Sequence, residues 1–292
     1  RSFRLFCFGL GYTALALADE LMGEGRRVAG TCRGTGKAEE LRARGIDVFV
    51  FDGTASLASA RTVLEGTTHV LVSAPPGPDG DPVLAFHAPE IAALTKRGLE
   101  WLGYLSTTGV YGDRGGGWVD ETSPLAPSGA RGRRRAAAES GWLELWRKHR
   151  VPVHVFRLAG IYGPGRNALR QVRAGTARRV HKPGQVFSRV HVADIAATLR
   201  ASMARPNPGS VYNLCDDLAA PPDEVVAYAC ELLGVASPPL VSIADAALTP
   251  MARSFYEDNK RVRNDRIKAE LAVRLKYPDY KAGLSALLAA GE

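Results

Sequence analysis

The sequence predicts an α/β fold, in which a doubly wound parallel sheet is joined to a smaller, mostly helical carboxyl-terminal lobe. Short apolar runs typical of buried strands alternate with helical patterns over the amino-terminal half. A glycine-rich turn joins the first run, 5–8, to an Ala/Leu-rich helical segment at 15–21. Polar residues follow the later runs, at the strand ends where open α/β sheets hold their ligands. Repeated strand–helix alternation of this kind is typical of a parallel sheet covered on both faces.

The composition is that of a globular protein, with 46% hydrophobic and 23% charged residues in a chain of 292. No apolar run approaches the roughly 20 residues that span a bilayer, and the opening segment, 1–9, is too short for a secretory signal. Widely spaced cysteines indicate neither a zinc site nor a disulfide framework: Cys7, Cys32, Cys215 and Cys230. We therefore expect a cytoplasmic protein without a metal or a membrane contact. The net charge of +8 fits either nucleic acid or phosphorylated small ligands.

The turn after the first strand has the pattern of a dinucleotide-binding loop. Residues 9–14 read Gly-Leu-Gly-Tyr-Thr-Ala. Gly9 permits the tight turn, Gly11 lets the backbone approach a pyrophosphate, and the small Ala14 allows the helix to pack on the strand. Tyr12 and Thr13 begin the helix, whose amino terminus faces the phosphates. This strand–turn–helix unit predicts a Rossmann-type fold.

The second strand, 27–32, ends about 20 residues after the glycines, where an NAD site normally places Asp or Glu. This chain has Arg33 there, with Lys37 four residues further on. Because a cation fits the 2′-phosphate of NADP, we predict that NADP is preferred over NAD. The alternative is a solvated arginine at a strand end.

Three further strands place candidate ligand contacts at their carboxyl ends. The strand at 47–51 precedes a predicted contact with the adenine, the strand at 69–73 precedes a loop that passes the nicotinamide side, and the strand at 99–105 precedes three hydroxyl groups. In chain order, the residues at these ends are Asp52, Gly53, Ala74, Pro75, Pro76, Ser106, Thr107 and Thr108.

Several segments, in order and spacing, resemble the extended branch of the short-chain dehydrogenase/reductases, the sugar-nucleotide epimerase/dehydratase-like group. They are Gly-Leu-Gly-Tyr-Thr-Ala at 9–14, Tyr-Leu-Ser-Thr-Thr-Gly-Val-Tyr-Gly-Asp at 104–113, Arg-Leu-Ala-Gly-Ile-Tyr-Gly-Pro-Gly-Arg-Asn at 157–167, Ser-Arg-Val-His-Val-Ala-Asp-Ile-Ala at 188–196, Val-Tyr-Asn-Leu at 211–214 and Asn-Lys-Arg-Val-Arg-Asn at 259–264. The resemblance implies a nicotinamide cofactor and a small-molecule substrate. It also implies a homodimer that forms through helices including 90–97 and 133–147.

The family's catalytic set is a hydroxyl, a Tyr and a Lys in a Tyr-x-x-x-Lys pair. The resemblance places the hydroxyl on Thr107, with Ser106 and Thr108 as alternatives, and the pair on Arg131 and Arg135. This is the pattern of the atypical subgroup of the family, in which the fold is kept and the catalytic residues are partly lost. A permanently charged guanidinium cannot exchange a proton near pH 7, although Arg135 can still contact the nicotinamide ribose.

Two other side chains are candidates for the missing proton carrier. Tyr111 carries a phenol in the Val-Tyr-Gly segment, where it more often packs, and His87 has a suitable ordinary pKa. A lone histidine is, however, more often structural than catalytic.

The carboxyl-terminal half carries a basic stretch that fits an anionic substrate. Arg166, Lys182 and Arg189 are the predicted substrate contacts of this stretch, and a solvated cationic face is the alternative. Thr108, at the end of the strand predicted at 99–105, is a fourth predicted substrate contact. We predict that 1–162 and 186–214 form the NADP-binding core, and that 163–185 and 215–292 form the substrate lobe.

These observations lead to one function and to alternatives from other classes. The favoured function is an NADP-dependent epimerase, dehydratase or reductase acting on a nucleotide-linked or other anionic substrate. A non-catalytic dinucleotide sensor of the same fold is the first alternative. Nucleic-acid binding through the basic cluster at 131–135 is a weaker alternative. The cluster is not part of a recognisable nucleic-acid-binding module, and no aromatic residues alternate with its arginines.

Overall fold

A computed structural model describes residues 2–292. Its strands are β1 Arg4–Phe8, β2 Arg27–Cys32, β3 Asp47–Val50, β4 His69–Val72, β5 Trp101–Thr107, β6 Trp118–Val119, β7 Val153–Leu158, β8 Gly160–Tyr162, β9 Arg179–His181, β10 Arg189–His191, β11 Val211–Leu214, β12 Leu240–Ser242 and β13 Arg261–Val262. Its α-helices are α1 Tyr12–Gly23, α2 Thr35–Ala43, α3 Ala60–Val63, α4 Pro82–Leu94, α5 Ala130–His149, α6 Ala168–Arg173, α7 Val192–Ala204, α8 Pro222–Leu233, α9 Pro250–Phe255, α10 Asp265–Leu271 and α11 Tyr280–Ala289.

Seven strands form one sheet in the order β11-β7-β5-β4-β1-β2-β3. The pairs β1–β2, β1–β4, β2–β3 and β4–β5 are all parallel. The order reverses beside β1, so the carboxyl ends of β1 and β4 border the crevice where doubly wound sheets bind ligands. The predicted α/β class and parallel sheet are confirmed.

The chain divides into two compact units. The first comprises residues 2–107, 133–157 and 196–212, and the second comprises 108–132, 158–195 and 213–292. Compared with the predicted boundaries, 108–132, 158–162, 186–195 and 213–214 group with the second unit.

The first unit contains the large sheet, apart from the last residues of β7 and β11. Its strands are apolar on both faces because helices cover both sides, so Phe6, Phe8, Val70 and Leu102 are completely buried. Helix α4 begins where the side chain of Asp81 caps it by accepting from two backbone N–H groups.

The second unit packs α6, α8 and α11 around a separate core that includes Tyr162, Leu169 and Leu284. It also contains short paired strands, β8 with β10, β9 with β12 and β6 with β13, which the prediction of a mostly helical lobe did not include. Two- and three-residue strands carry too little alternation to be predicted.

No helix in residues 2–292 combines the length and apolar character needed to cross a membrane. In the same residues, no group of three His, Cys, Asp or Glu side chains is placed to hold a metal ion.

Candidate functional site

The first unit contains a cavity of about 260 Å³ at the carboxyl ends of its first four strands. Predicted cofactor residues on its wall are Gly9, Gly11, Arg33, Asp52, Gly53, Ala74 and Pro75. The wall also includes Leu10, Thr31, Cys32, Phe51, Ser73 and Pro82, which the sequence analysis did not assign to the site. Most of these could have been found, because they lie at or just beyond the end of a predicted strand.

Two glycines give the loop after β1 its shape. Gly9 has a φ of +94°, and a Cβ there would lie 2.9 Å from the backbone nitrogen of Ala74, so only glycine fits. A Cβ on Gly11 would meet nothing within 4 Å, which leaves its backbone open on the ligand side. Gly11 also caps the 12-residue helix α1, which has no side-chain cap and no acidic residue in its first turn. The positive end of this helix therefore fits a pyrophosphate.

The loop is held against β2 by short contacts. The N–H of Gly9 donates to Thr31 Oγ1 at 2.9 Å, and the N–H of Leu10 donates to the carbonyl of Thr31 at 2.8 Å. A Cβ on Gly30 would lie 2.5 Å from the carbonyl oxygen of Cys7, so this glycine allows the close approach of β1 and β2. These contacts hold the loop of residues 9–11, called the cradle below, at the carboxyl end of β1.

Of the charged residues predicted to bind the cofactor, Arg33 and Asp52 lie on the wall of this cavity, and Lys37 does not. Arg33 is exposed, whereas Lys37 forms an exposed ion pair with Glu40 at 2.8 Å. Asp52 accepts from the hydroxyl and the N–H of Thr54, and these hydrogen bonds hold the pKa of its carboxyl below the usual range. An ionised Asp52 can accept a hydrogen bond from a ligand.

The remaining predicted cofactor residues of the glycine loop and the β4 loop lie outside this wall. Ala14 is completely buried and Thr13 nearly so, which agrees with close helix–strand packing. Tyr12 begins α1, and Pro76 lies in the loop beyond Pro75.

His87, on α4, is surrounded by aromatic rings from other parts of the first unit. It is completely buried, packs against Phe8 and Phe51, and its Nε2 accepts from the N–H of Leu57 at 3.3 Å. Burial lowers the pKa of His87, so the ring is neutral at pH 7. These contacts favour a structural role for His87.

The end of β5 is tied to α5 and β7 by a buried ion pair. Ser106 Oγ donates to Glu139 Oε2 at 2.8 Å, and Arg157 Nε donates to the same oxygen at 3.2 Å. Arg157 Nη2 makes a further short contact with Glu139 Oε1, and Glu139 and Arg157 are 2% and 4% exposed. The hydroxyl of Ser106 is therefore used within the fold. Sequence reasoning missed this pair.

Arg135 lies beside the same strand. Its Nη1 donates to the carbonyl of Leu105 at 2.5 Å, and its guanidinium lies 5.9 Å from the ring centre of Tyr104. Burial raises the pKa of Tyr104 above its ordinary value, although Arg135 opposes this shift. A completely buried phenol that holds its proton this firmly is a poor substitute for a catalytic tyrosine.

The remaining predicted catalytic residues are divided between the two units. Thr107 ends β5 in the first unit, whereas Thr108, Tyr111 and Arg131 belong to the second. Tyr111 is completely buried and donates to Asn213 Oδ1 at 2.6 Å, which favours a packing role. Arg131 is exposed, with its guanidinium 5.7 Å from the ring centre of Phe255 in the second unit.

Two of the three predicted cationic substrate contacts bind backbone carbonyls of their own unit. Lys182 donates to the carbonyl of Tyr256. Arg189 Nη1 donates to the carbonyls of Phe187 and Ala220 at 2.9 and 3.1 Å. Arg166 is exposed in a turn closed by backbone hydrogen bonds with Gly163. These contacts leave less of Lys182 and Arg189 available to a ligand than the sequence indicated.

Asp216 is a buried carboxyl near Arg189. Its Oδ1 accepts from the N–H of Leu218, whereas its Oδ2 has no partner in the described residues. Burial raises the pKa of Asp216 to about 8, Asp217 and Asp279 add to the rise, and Arg189 opposes it. The folded protein therefore keeps a proton that the unfolded chain loses above about pH 4.

This proton gives a testable pH dependence. Between about pH 4 and pH 8, stability should fall as pH rises, because only the folded state holds the Asp216 proton. Asp216→Asn should therefore stabilise the protein at pH 8 and leave it nearly unchanged at pH 4. Urea unfolding at both pH values measures this, and an equal effect at the two pH values would contradict it.

Comparisons with known proteins agree with this fold. Residues 88–215 match the model of the NAD dependent epimerase/dehydratase family. The solved structure of a functionally unknown conserved protein from Silicibacter pomeroyi DSS is 53% identical, with 100% of both chains covered and a TM-score of 0.92. Protein YeeZ of Escherichia coli (strain K12) is 28% identical over 282 residues, 93% of this chain and 95% of that protein. The dTDP-glucose 4,6-dehydratase of Bacillus anthracis str. Ames in complex with NAD is 18% identical, with a TM-score of 0.77 over 99% of this chain and 96% of that one.

The family model and the fold lead to the same assignment. The model covers the chain from within α4 to just past β11, and the glycine-loop cradle lies in the preceding segment. Residues 88–215 are therefore similar to the NAD dependent epimerase/dehydratase family, and the chain shares its fold with the dTDP-glucose 4,6-dehydratase of Bacillus anthracis str. Ames.

Proposed function

We propose that the first unit binds a nicotinamide dinucleotide in the cavity beside β1, with NADP preferred over NAD. The observation that carries this proposal is the cradle, in which Gly9 admits no side chain and Gly11 leaves the amino terminus of α1 open. The Bacillus anthracis dehydratase, which has this fold, was solved with NAD. When bound, the dinucleotide would supply a hydride acceptor or donor.

The preference for NADP rests on Arg33. Its exposed guanidinium lies on the cavity wall at the end of β2, where it can donate hydrogen bonds to a 2′-phosphate. Asp52, on the same wall, would contact the adenosine end of the cofactor.

Arg33→Ala should lower the affinity for NADP by about 10- to 100-fold, since hydrogen bonds to charged groups contribute roughly 1.5–3 kcal/mol. The affinity for NAD should change much less, because NAD lacks the 2′-phosphate. Calorimetry with both dinucleotides measures the two affinities. Arg27→Ala, which changes an exposed arginine at the opposite end of β2, is the matched control. Equal losses for NADP and NAD would contradict a contact with the 2′-phosphate.

We further propose that the protein is an epimerase, dehydratase or reductase for a nucleotide-linked or other anionic substrate. Thr107 would hold the carbinol or carbonyl oxygen, and Arg135 would lie near the nicotinamide ribose. Arg131 and Arg135 are taken to stand at the positions of the Tyr-x-x-x-Lys pair, so the proton carrier is unassigned. Support comes from the match of residues 88–215 to the epimerase/dehydratase family and from the basic stretch at 166–189.

A non-catalytic dinucleotide sensor is the second candidate, and the contacts of the hydroxyls and phenols favour it. Ser106 donates to Glu139, Tyr111 donates to Asn213, and Tyr104 is buried. Absorbance changes of NADP and NADPH across a panel of nucleotide sugars and carbonyl compounds distinguish the two candidates. Hydride transfer with any substrate supports the enzyme, whereas tight dinucleotide binding without transfer supports the sensor.

A further inference from the structure

The second unit contains its own cavity, of about 500 Å³, where the carboxyl ends of α6 and α8 meet the segments that follow them. This volume lies within the roughly 300–1,000 Å³ that is typical of small-molecule sites. Its wall is largely apolar, and Arg173 is the charged residue on it. The apolar lining includes Val172, Cys230, Leu233, Val235 and Pro238. An apolar surface with one charged group is typical of a ligand site.

Both helix ends are fixed where they border the cavity. After α6, the N–H of Gly175 donates to the carbonyl of Val172 at 3.1 Å. After α8, the N–H of Val235 donates to the carbonyl of Cys230 at 3.0 Å. A Cβ added to Gly175 would meet nothing within 4 Å. The walls are therefore hydrogen-bonded helix ends, and no side chain of residues 2–292 fills the space beside Gly175.

Arg173 brings a positive charge to this wall. Its Nη2 donates to the carbonyl of Glu292 at 2.8 Å, and no acidic side chain of the described residues lies within the 4.0 Å ion-pair distance of it. Arg170, on the same helix, is instead paired with the carboxylate of Glu292 at 3.0 Å. Because a guanidinium has five N–H donors, most of those of Arg173 remain for a ligand.

A second guanidinium lies beside the wall. Arg179 Nη1 donates to the carbonyl of the wall residue Pro238 at 3.2 Å, and its Nε is buried without a partner in residues 2–292. No acidic side chain in that range pairs with Arg179. Glu231, which follows Cys230 in the chain, is exposed and does not line the cavity. The charge at this cavity is therefore positive and fits an anion.

We propose that this cavity binds a small amphipathic carboxylate, whose apolar body packs against the two helix ends and whose carboxylate binds Arg173. A guanidinium can hold a carboxylate through two parallel N–H···O bonds. One arginine on the wall neutralises one negative charge, which favours a carboxylate over a phosphate dianion. The proposal does not depend on the dinucleotide cavity of the first unit, and it gives the chain a second small-molecule site.

Calorimetric titration of the full chain with octanoate, below its micelle-forming concentration, tests the site. We expect one saturable octanoate per chain, bound about 10- to 100-fold more tightly than 1-octanol, because only the carboxylate accepts charge-assisted hydrogen bonds. Arg173→Gln should weaken octanoate binding to the level of 1-octanol. Arg170→Gln is the matched control and should keep the wild-type affinity, since Arg170 does not line the cavity. Octyl phosphate that bound more tightly than octanoate would contradict a carboxylate site.

Photocrosslinking of the wild-type chain locates the bound molecule. An octanoate that carries a diazirine should label peptides from 172–177 and 230–238, and an excess of octanoate should suppress the label. Absence of saturable binding, equal binding of 1-octanol, or displaceable labelling confined to other peptides would overturn the proposal. NADP binding, measured separately, decides the cofactor proposal, so the failure of one is distinguishable from that of the other.

Discussion

Glu139→Ala is expected to lower the free energy of unfolding by about 3–5 kcal/mol, because it leaves the charge of Arg157 buried and unpaired. Glu139 accepts from both Ser106 and Arg157, so its removal also leaves a buried hydroxyl without its acceptor. Urea unfolding followed by circular dichroism measures the loss as a lower transition midpoint.

Glu144 on the same helix is the matched control for this prediction. Its ion pairs with Arg147 and Lys148 are exposed, so Glu144→Ala should cost no more than about 1 kcal/mol. The double variant Glu139→Leu with Arg157→Met removes both charges and should recover much of the loss. Equal costs for Glu139→Ala and Glu144→Ala would show that the buried pair does not hold β5, α5 and β7 together.

Gly11→Asp is expected to reduce dinucleotide affinity by at least about 100-fold. The new carboxylate would project from the amino terminus of α1 toward the pyrophosphate, and two like charges near 4 Å repel by about 4 kcal/mol at an effective dielectric constant of 20. Folding should be preserved, because a Cβ at Gly11 meets nothing within 4 Å. Calorimetry measures the affinity, and the melting temperature checks the fold.

Gly129→Asp is the control for the same substitution at another helix start. Gly129 immediately precedes α5, and a Cβ added there would also meet nothing within 4 Å. This variant should bind dinucleotide as the wild type does. If Gly11→Asp bound equally well, the loop after β1 would not be the pyrophosphate site.

The sequence predicted the large sheet well because its strands carry strong signals. The runs that became β1, β2 and β4 are apolar on both faces, and each is followed by glycine, proline or charged residues. The strand predicted at 99–105 lies at 101–107, a shift of two residues. The short strands of the second unit were missed because their partners are distant in the chain, as with Trp118 and Arg261.

The site was predictable only where local sequence determines its geometry. The glycine spacing and Arg33 follow from the loop and strand that contain them, and both lie on the cavity wall. The buried pair of Glu139 and Arg157 was not predictable, since a glutamate on a polar helix resembles a solvated one. Likewise, the sequence cannot show that Lys182 donates to a backbone carbonyl.

Calorimetric titration of the wild-type chain with NADP and with NAD tests the central claim most directly. We expect saturable binding of one NADP per chain, at least about tenfold tighter than NAD, because Arg33 supplies a contact that only the 2′-phosphate uses. Absence of binding by either dinucleotide, or equal affinity for the two, would contradict this account of the cavity beside β1.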